Sequence, residues 1–207
     1  MLRAADLAAL RWIGEQGAVR ADLLRRLPGG PPTDTAARRR VDRWHDAGLV
    51  ARRRFLVGEP PVVWLTAHGL RLVGCPYRSR EPPVGRLAHL HAVGVVRLAV
   101  EAHGGHRWVS ERALARRRRA PDAHLPDGRF HTPAGVETAV EVELTPKGAE
   151  RLERIVDELT VDYAAVLYVV DTPAVHVAVA RAVAALHEQP RVTIVDLARL
   201  ARVAHPG

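Results

Sequence analysis

Lysine is almost missing from this chain. Of 31 basic residues, one is a lysine, Lys147, and the rest are arginine. Arginine in such excess, beside abundant Ala, Val, Leu and Pro, is the signature of a GC-rich genome. Raw arginine number therefore says little about partners. Cysteine is as scarce: Cys75 stands alone, which excludes an internal disulfide and a cysteine-rich zinc site and fits a reducing, cytoplasmic setting. The 11 histidines do not compensate. His89 and His91, in "HLH", lack the spacing of a shared helical face, and His103 and His106 flank a "GG" loop. No apolar run approaches the ~20 residues of a membrane span. The N-terminus carries Asp6 and Glu15 and no cleavage-site pattern, so neither membrane association nor a signal peptide is expected. There is no glycine-rich phosphate loop, which argues against a nucleotide-driven engine.

What is present is a chain of 207 residues, 47% hydrophobic, enough for one large domain or two small ones. Its charge is unevenly placed. Residues 1–80 hold 15 arginines against 7 acids, a net of +8, while residues 81–207 are neutral, with 16 basic and 16 acidic residues. A basic nucleic-acid-binding module joined to a neutral one has this asymmetry.

The basic part reads as three helices and a hairpin. "RAADLAALRWIGEQG" has a helical apolar period ending at Gly17, and "AVRADLLRRL" is a second, short helix stopped by "PGGPP". Thr33 and Asp34 offer caps to "TAARRRVDRWHDAGLV", whose Ala37, Val41, Trp44 and Leu49 line one face and which Gly48 closes. Strands "VARRRFLV" and "VVWLT" flank the turn "GEPP", and Thr66 caps a further helix, "TAHGLRLVG". "CPYRSREPPVG", without a period, is the natural linker.

The neutral part begins with a helix in "VGRLAHLHAVGVVRLAVEAHG". The strand "RWVS", the helical or loop segment "ERALARRRR", a strand starting in "APDAHLP" and the strand "GVETAVEVEL" follow. Then come the amphipathic helix "PKGAERLERIVDELT", the buried strand "YAAVLYVV", a helix capped by Thr172 with Pro173 in its first turn, the strand "RVTIVD" and the terminal helix "LARLARVA".

Helices and hairpin in this order resemble the winged helix-turn-helix fold, over roughly residues 3–75. A three-strand meander followed by an α-crossover strand resembles the PD-(D/E)xK nuclease core. The segments "VVWLTAHGLRLVG", "LAHLHAVGVVRLAVEA", "WVSERAL", "APDAHL" and "AVEVELTPKGAERLERIVDEL", in that order, make the chain similar to the replication-relaxation family of bacterial plasmids and other mobile elements. The resemblance implies a winged-helix domain at 1–75, a linker at 76–85 and a small mixed-sheet α/β domain of PD-(D/E)xK type at 86–207.

It also implies double-stranded DNA as partner. Arg38, Arg39, Arg40 and Arg43 of the third helix would divide between base edges and phosphates, and Arg52, Arg53 and Arg54 of the wing would hold phosphates. The alternative is a solvated face on a protein-binding winged helix that engages a replication or relaxation protein.

In the nuclease superfamily, two acids on neighbouring strands hold Mg²⁺ or Mn²⁺, and a lysine orients water. Asp122 and Glu141 match the acids, and Glu111 or Glu101 would supply a further one. The lysine position is occupied by Glu143, which shares a strand face with Glu141 by alternation. Lys147, at the start of the next helix, is the substitute within reach. An acidic cluster with cleavage weak or lost and an active Mg²⁺-dependent endonuclease both remain open. "RRRR", residues 116–119, is either a phosphate contact beside the acids or a solvated loop. A homodimer is expected, through the apolar helices at 177–186 and 197–203.

Overall fold

The computed structural model describes residues 2–117, 124–186 and 191–203. The chain mixes helices with sheet and divides into two units, 1–94 and 95–207, the division falling inside helix α4 (Leu87–Ala102).

The first unit runs α1 (Ala4–Gln16), β1 (Val19–Arg20), a 3-10 helix (Ala21–Arg26), α2 (Asp34–Asp46), β2 (Val50–Arg53), β3 (Val62–Leu65) and α3 (Ala67–Leu72). Thr33 starts α2: its hydroxyl accepts from the Ala36 N–H at 3.2 Å. Gly48, at φ +67°, ends it in the left-handed conformation that glycine adopts without steric cost. Ala37, Arg40, Val41 and Trp44 form its buried face. Thr66 caps α3 by accepting from the Gly69 N–H at 3.1 Å.

Two expectations are corrected here. The second, short helix is of 3-10 form and starts only at Ala21, and the Val19–Arg20 segment expected within it is a strand, β1, that pairs antiparallel with β3, Val19 opposite Val63. The hairpin strand expected to reach Val57 stops at Arg53, opposite Val62. Pro60 and Pro61 have no N–H to extend the ladder, so residues 54–61 leave it as a loop. Segment 76–85 is held to this unit: the Ser79 hydroxyl donates to Leu65 O at 2.7 Å, and Glu81 pairs with Arg53 at 2.6 Å.

The second unit is built on one mixed sheet in the order β4-β5-β6-β7-β8: β4 (His106–Ser110), β5 (Gly128–His131), β6 (Glu137–Glu143), β7 (Ala165–Val170) and β8 (Val192–Asp196). β4, β5 and β6 are antiparallel neighbours, and β6, β7 and β8 are parallel. α5 (Glu111–Arg117) follows β4, α6 (Ala149–Asp162) and α7 (Pro173–Ala184) form the crossovers, and α8 (Leu197–Val203) ends the described chain. Leu152, Ile155 and Leu159 of α6 and Val175 and Val179 of α7 pack on the sheet face that carries Ala139, Val166, Tyr168 and Val170. The strand expected to start in "APDAHLP" begins later, at Gly128; residues 124–126 are irregular and 120–123 lie outside the described residues. Gly128 is required because an added Cβ would sit 2.4 Å from the Trp108 ring. Among the described residues, no helix is long and apolar enough to cross a membrane.

Candidate functional sites

The arginines of α2 separate into two groups. Arg38, Arg39 and Arg43 are exposed, and Arg40 is buried. Arg40 Nε donates to Asp6 Oδ1 at 2.7 Å, Nη1 to Gly29 O at 2.7 Å and Nη2 to Ala5 O, and its guanidinium lies 4.8 Å from the Trp44 ring centre. Asp6 also accepts from Trp44 Nε1 and from the Arg3 N–H. Burial disfavours the Asp6 charge, but these donors and the Arg40 charge outweigh it and hold the carboxyl below its usual range. Arg40 therefore does not join an outward basic surface; its donors are spent on fastening α2 to α1.

Two grooves flank α2. One, of about 510 Å³, is lined by Arg38, Arg52 and Arg54, by the acids Asp22, Asp34 and Asp42, and by Val41 and Pro61. The other, of about 400 Å³, is lined by Arg3, Arg39 and Arg43 and by the Gly29–Pro32 turn, with the buried Asp6–Arg40 pair at its wall. Arg52 pairs with Asp42, Arg53 with Glu81, and Arg54 Nη1 donates to Glu59 O. These are exposed contacts, which contribute little and exchange readily for a stronger anion.

In the second unit, β6 places Glu141 and Glu143 on one face, each 4% exposed. Lys147, just ahead of the Gly148 cap of α6, reaches both: Nζ is 3.6 Å from Glu141 Oε1 and also pairs with Glu143 Oε2. The other Glu141 oxygen, Oε2, is 3.0 Å from His124 Nε2. The His124 N–H donates to Glu158 Oε2 at 2.8 Å, and Asp127 Oδ2 accepts from the Val142 N–H at 2.8 Å. Tyr168, opposite Glu141 in the parallel register, is fully buried, and its hydroxyl has no hydrogen-bond partner among the described residues.

Burial raises the Glu141 pKa; Asp127 raises it further, and His124 and Lys147 oppose the rise. Burial lowers that of His124, but its hydrogen bond to Glu141 and the Glu141 charge win, so it ends above its ordinary value. The Tyr168 phenol is pushed up, first by burial and then by the charges of Glu141, Glu143 and Asp127. The arrangement is a buried acid pair contacted from within by the Lys147 ammonium and the His124 imidazole.

Of the residues expected at this site, Glu141, Glu143 and Lys147 come together, and Asp122 lies outside the described residues, as do Arg118 and Arg119 of "RRRR". The Glu111 N–H donates to Asp127 O at 3.1 Å, at the start of α5. Glu101 is held by Arg97 Nε at 2.7 Å on α4. Among the described residues, no three or more His, Cys, Asp or Glu side chains are placed to hold a metal ion. Within the described residues, Glu141 Oε1 faces the Lys147 ammonium and Oε2 faces the His124 ring. His124, Asp127, Glu158 and Tyr168 escaped the sequence reading. His124 was within reach of it, two residues beyond Asp122 in "APDAHL". Asp127 reads as a turn residue, Glu158 as solvated helix surface and Tyr168 as core.

No curated protein and no solved structure matches the chain. The family model described as replication-relaxation matches residues 10–169, about three-quarters of the sequence and parts of both units. The chain belongs to the replication-relaxation family.

Proposed function

We propose that the first unit is a winged helix that binds double-stranded DNA, with α2 as recognition helix and the β2–β3 hairpin as wing. The observation that carries this reading is the placement of exposed arginines on both flanks of α2, Arg38, Arg52 and Arg54 beside one and Arg3, Arg39 and Arg43 beside the other. A helix seated in the major groove has a phosphate backbone along each side. Arg38, Arg52 and Arg54 would meet one backbone, and Arg3, Arg39 and Arg43 the other. The confinement of the +8 charge to residues 1–80 supports the same reading. In fluorescence anisotropy with a labelled duplex, Arg39→Ala and Arg43→Ala each weaken binding, while Asp122→Ala leaves it nearly unchanged. Equal binding by all three variants and the wild type would remove α2 from the interface.

The second unit we read as a PD-(D/E)xK-like domain with cleavage weak or lost, serving dimerisation or added DNA contact. The protein then acts in a bacterial mobile element or its host, controlling replication, transfer or transcription. The meander followed by parallel crossovers supports the fold, and the contacts of Glu141 with Lys147 and His124 support the weak activity. The contact of Lys147 with both glutamates favours one other reading, a Mg²⁺-dependent endonuclease in which Asp122 and Glu141 hold the ion. Incubating supercoiled plasmid with Mg²⁺ or Mn²⁺, beside Asp122→Ala, separates the two: nicking by the wild type alone selects the endonuclease.

A further inference from the structure

The loop between β2 and β3, residues 54–61, carries two apolar residues that face solvent. Leu56 is 55% exposed and Val57 is 102% exposed. Covering an apolar pair at such a position is favourable by the apolar area removed from water. Leu56 also lines a hollow with Ala18, Val62, Leu87 and Leu90. The charged neighbours are three arginines, two of them in exposed, exchangeable pairs with Asp42 and Glu81, and one acid. Arg52, Arg53 and Arg54 precede it and are exposed. The one acid of the loop, Glu59, has its carboxylate held by Arg20 at 2.8 Å. The loop is also braced. Phe55 packs against Trp64, with ring centres 6.4 Å apart, Arg53 lies over the Phe55 ring, and Pro60 and Pro61 restrict the return.

Resting on the DNA-binding reading above, we infer that Leu56 and Val57 form a wedge that enters the minor groove, unstacks a base step and bends the duplex. The charge around the tip selects a polyanion over an apolar protein surface. Arg52, Arg53 and Arg54 meet the phosphates that border the groove while the apolar tip meets bases. Apolar wedges with flanking arginines produce kinks of roughly 20–90° by this division of labour. Because the loop is braced before contact, little ordering is needed on insertion. Pyrimidine–purine steps such as TA open most easily, so the wedge favours them.

The test uses the full chain and a duplex of about 30 base pairs with TA steps through its centre and a donor and acceptor dye at its ends. Anisotropy on the same duplex sets equal occupancy for each protein. Binding of the wild type raises energy transfer between the ends. The Leu56→Ser/Val57→Ser variant, at matched occupancy, reduces that gain at least about threefold, and Val57→Ser alone, at a side chain that packs on nothing, reduces it partially. An equal gain in wild type and double variant overturns the wedge while leaving DNA binding intact. An unchanged bend with self-association lost in the double variant overturns it in favour of a protein contact. Absence of any duplex binding by the wild type overturns the DNA-binding reading itself, and the wedge with it.

Discussion

Arg40 shares the helical spacing of Ala37, Val41 and Trp44, and it shares their burial. The periodicity of α2 thus contained its position, but its residue type and its place within "ARRR" argued for the surface. What decides is Asp6, 34 residues away, which no local pattern links to Arg40. Arg40→Ala strands a buried carboxylate and is expected to lower stability by about 3–5 kcal/mol, read from urea denaturation. A loss under about 1 kcal/mol, the worth of an exposed pair, would contradict the assigned burial. Asp6 also gives a pH dependence. Its folded pKa is depressed, so its contribution is present above its unfolded value near 3.8 and disappears as pH falls through the folded value. His124 acts in the opposite sense. Its folded pKa is raised, so its contribution is complete below the unfolded value near 6.5 and is lost as pH rises through the folded one. Burial raises Glu141 as well, which adds stability loss on raising pH above its unfolded value near 4.5. His124→Gln is therefore expected to shrink the fall in melting temperature between about pH 6 and pH 8; an unaltered fall would remove His124 from the cluster. Lys147→Ala, leaving two buried glutamates without their ammonium, is expected to lower the melting temperature at neutral pH. Mg²⁺ is expected to leave the wild-type value unchanged. A rise with Mg²⁺ in the wild type but not in Asp122→Ala would show that metal binds the folded state and neutralises the site instead.

At the scale of elements, caps were the most legible feature. Thr33, Thr66 and Thr172 each accept from a backbone N–H three residues on, as their positions before apolar periodic runs suggest. The strand β6 was legible through its alternation, and β7 through its continuous apolar run. Less legible were elements whose existence depends on a distant partner. β1 is two residues long and forms because β3 offers an edge. β5, "GRFH", has weak strand propensity and forms between β4 and β6. The exposed arginines of α2 carry the prediction that belongs here. Arg38→Ala, Arg39→Ala and Arg43→Ala should each reduce the slope of log K against log salt by about one, the loss of one phosphate contact, or relax base preference where the side chain reads a base edge. Arg40→Ala should act instead through stability, with a slope near that of the wild type in the fraction that remains folded.

At the scale of the molecule, the charge asymmetry and the order of motifs led to the family that the match over residues 10–169 shows. Proline-rich segments usually mark linkers, but residues 76–85 are bonded to the first unit, and the chain divides inside α4, whose apolar period runs through the boundary unbroken. Self-association is expected through α7 and α8, where Val177 is 49% exposed. Light scattering should give a dimer mass at micromolar concentration, and a monomer with and without DNA would contradict it. The central claim, duplex recognition by α2, is tested most directly by binding isotherms across salt concentration for the wild type and for Arg38→Ala/Arg39→Ala/Arg43→Ala. The expected result is a steep negative slope for the wild type and a slope shallower by about two to three in the variant, with the fold intact. A wild-type slope near zero, or a variant slope equal to that of the wild type, would contradict it.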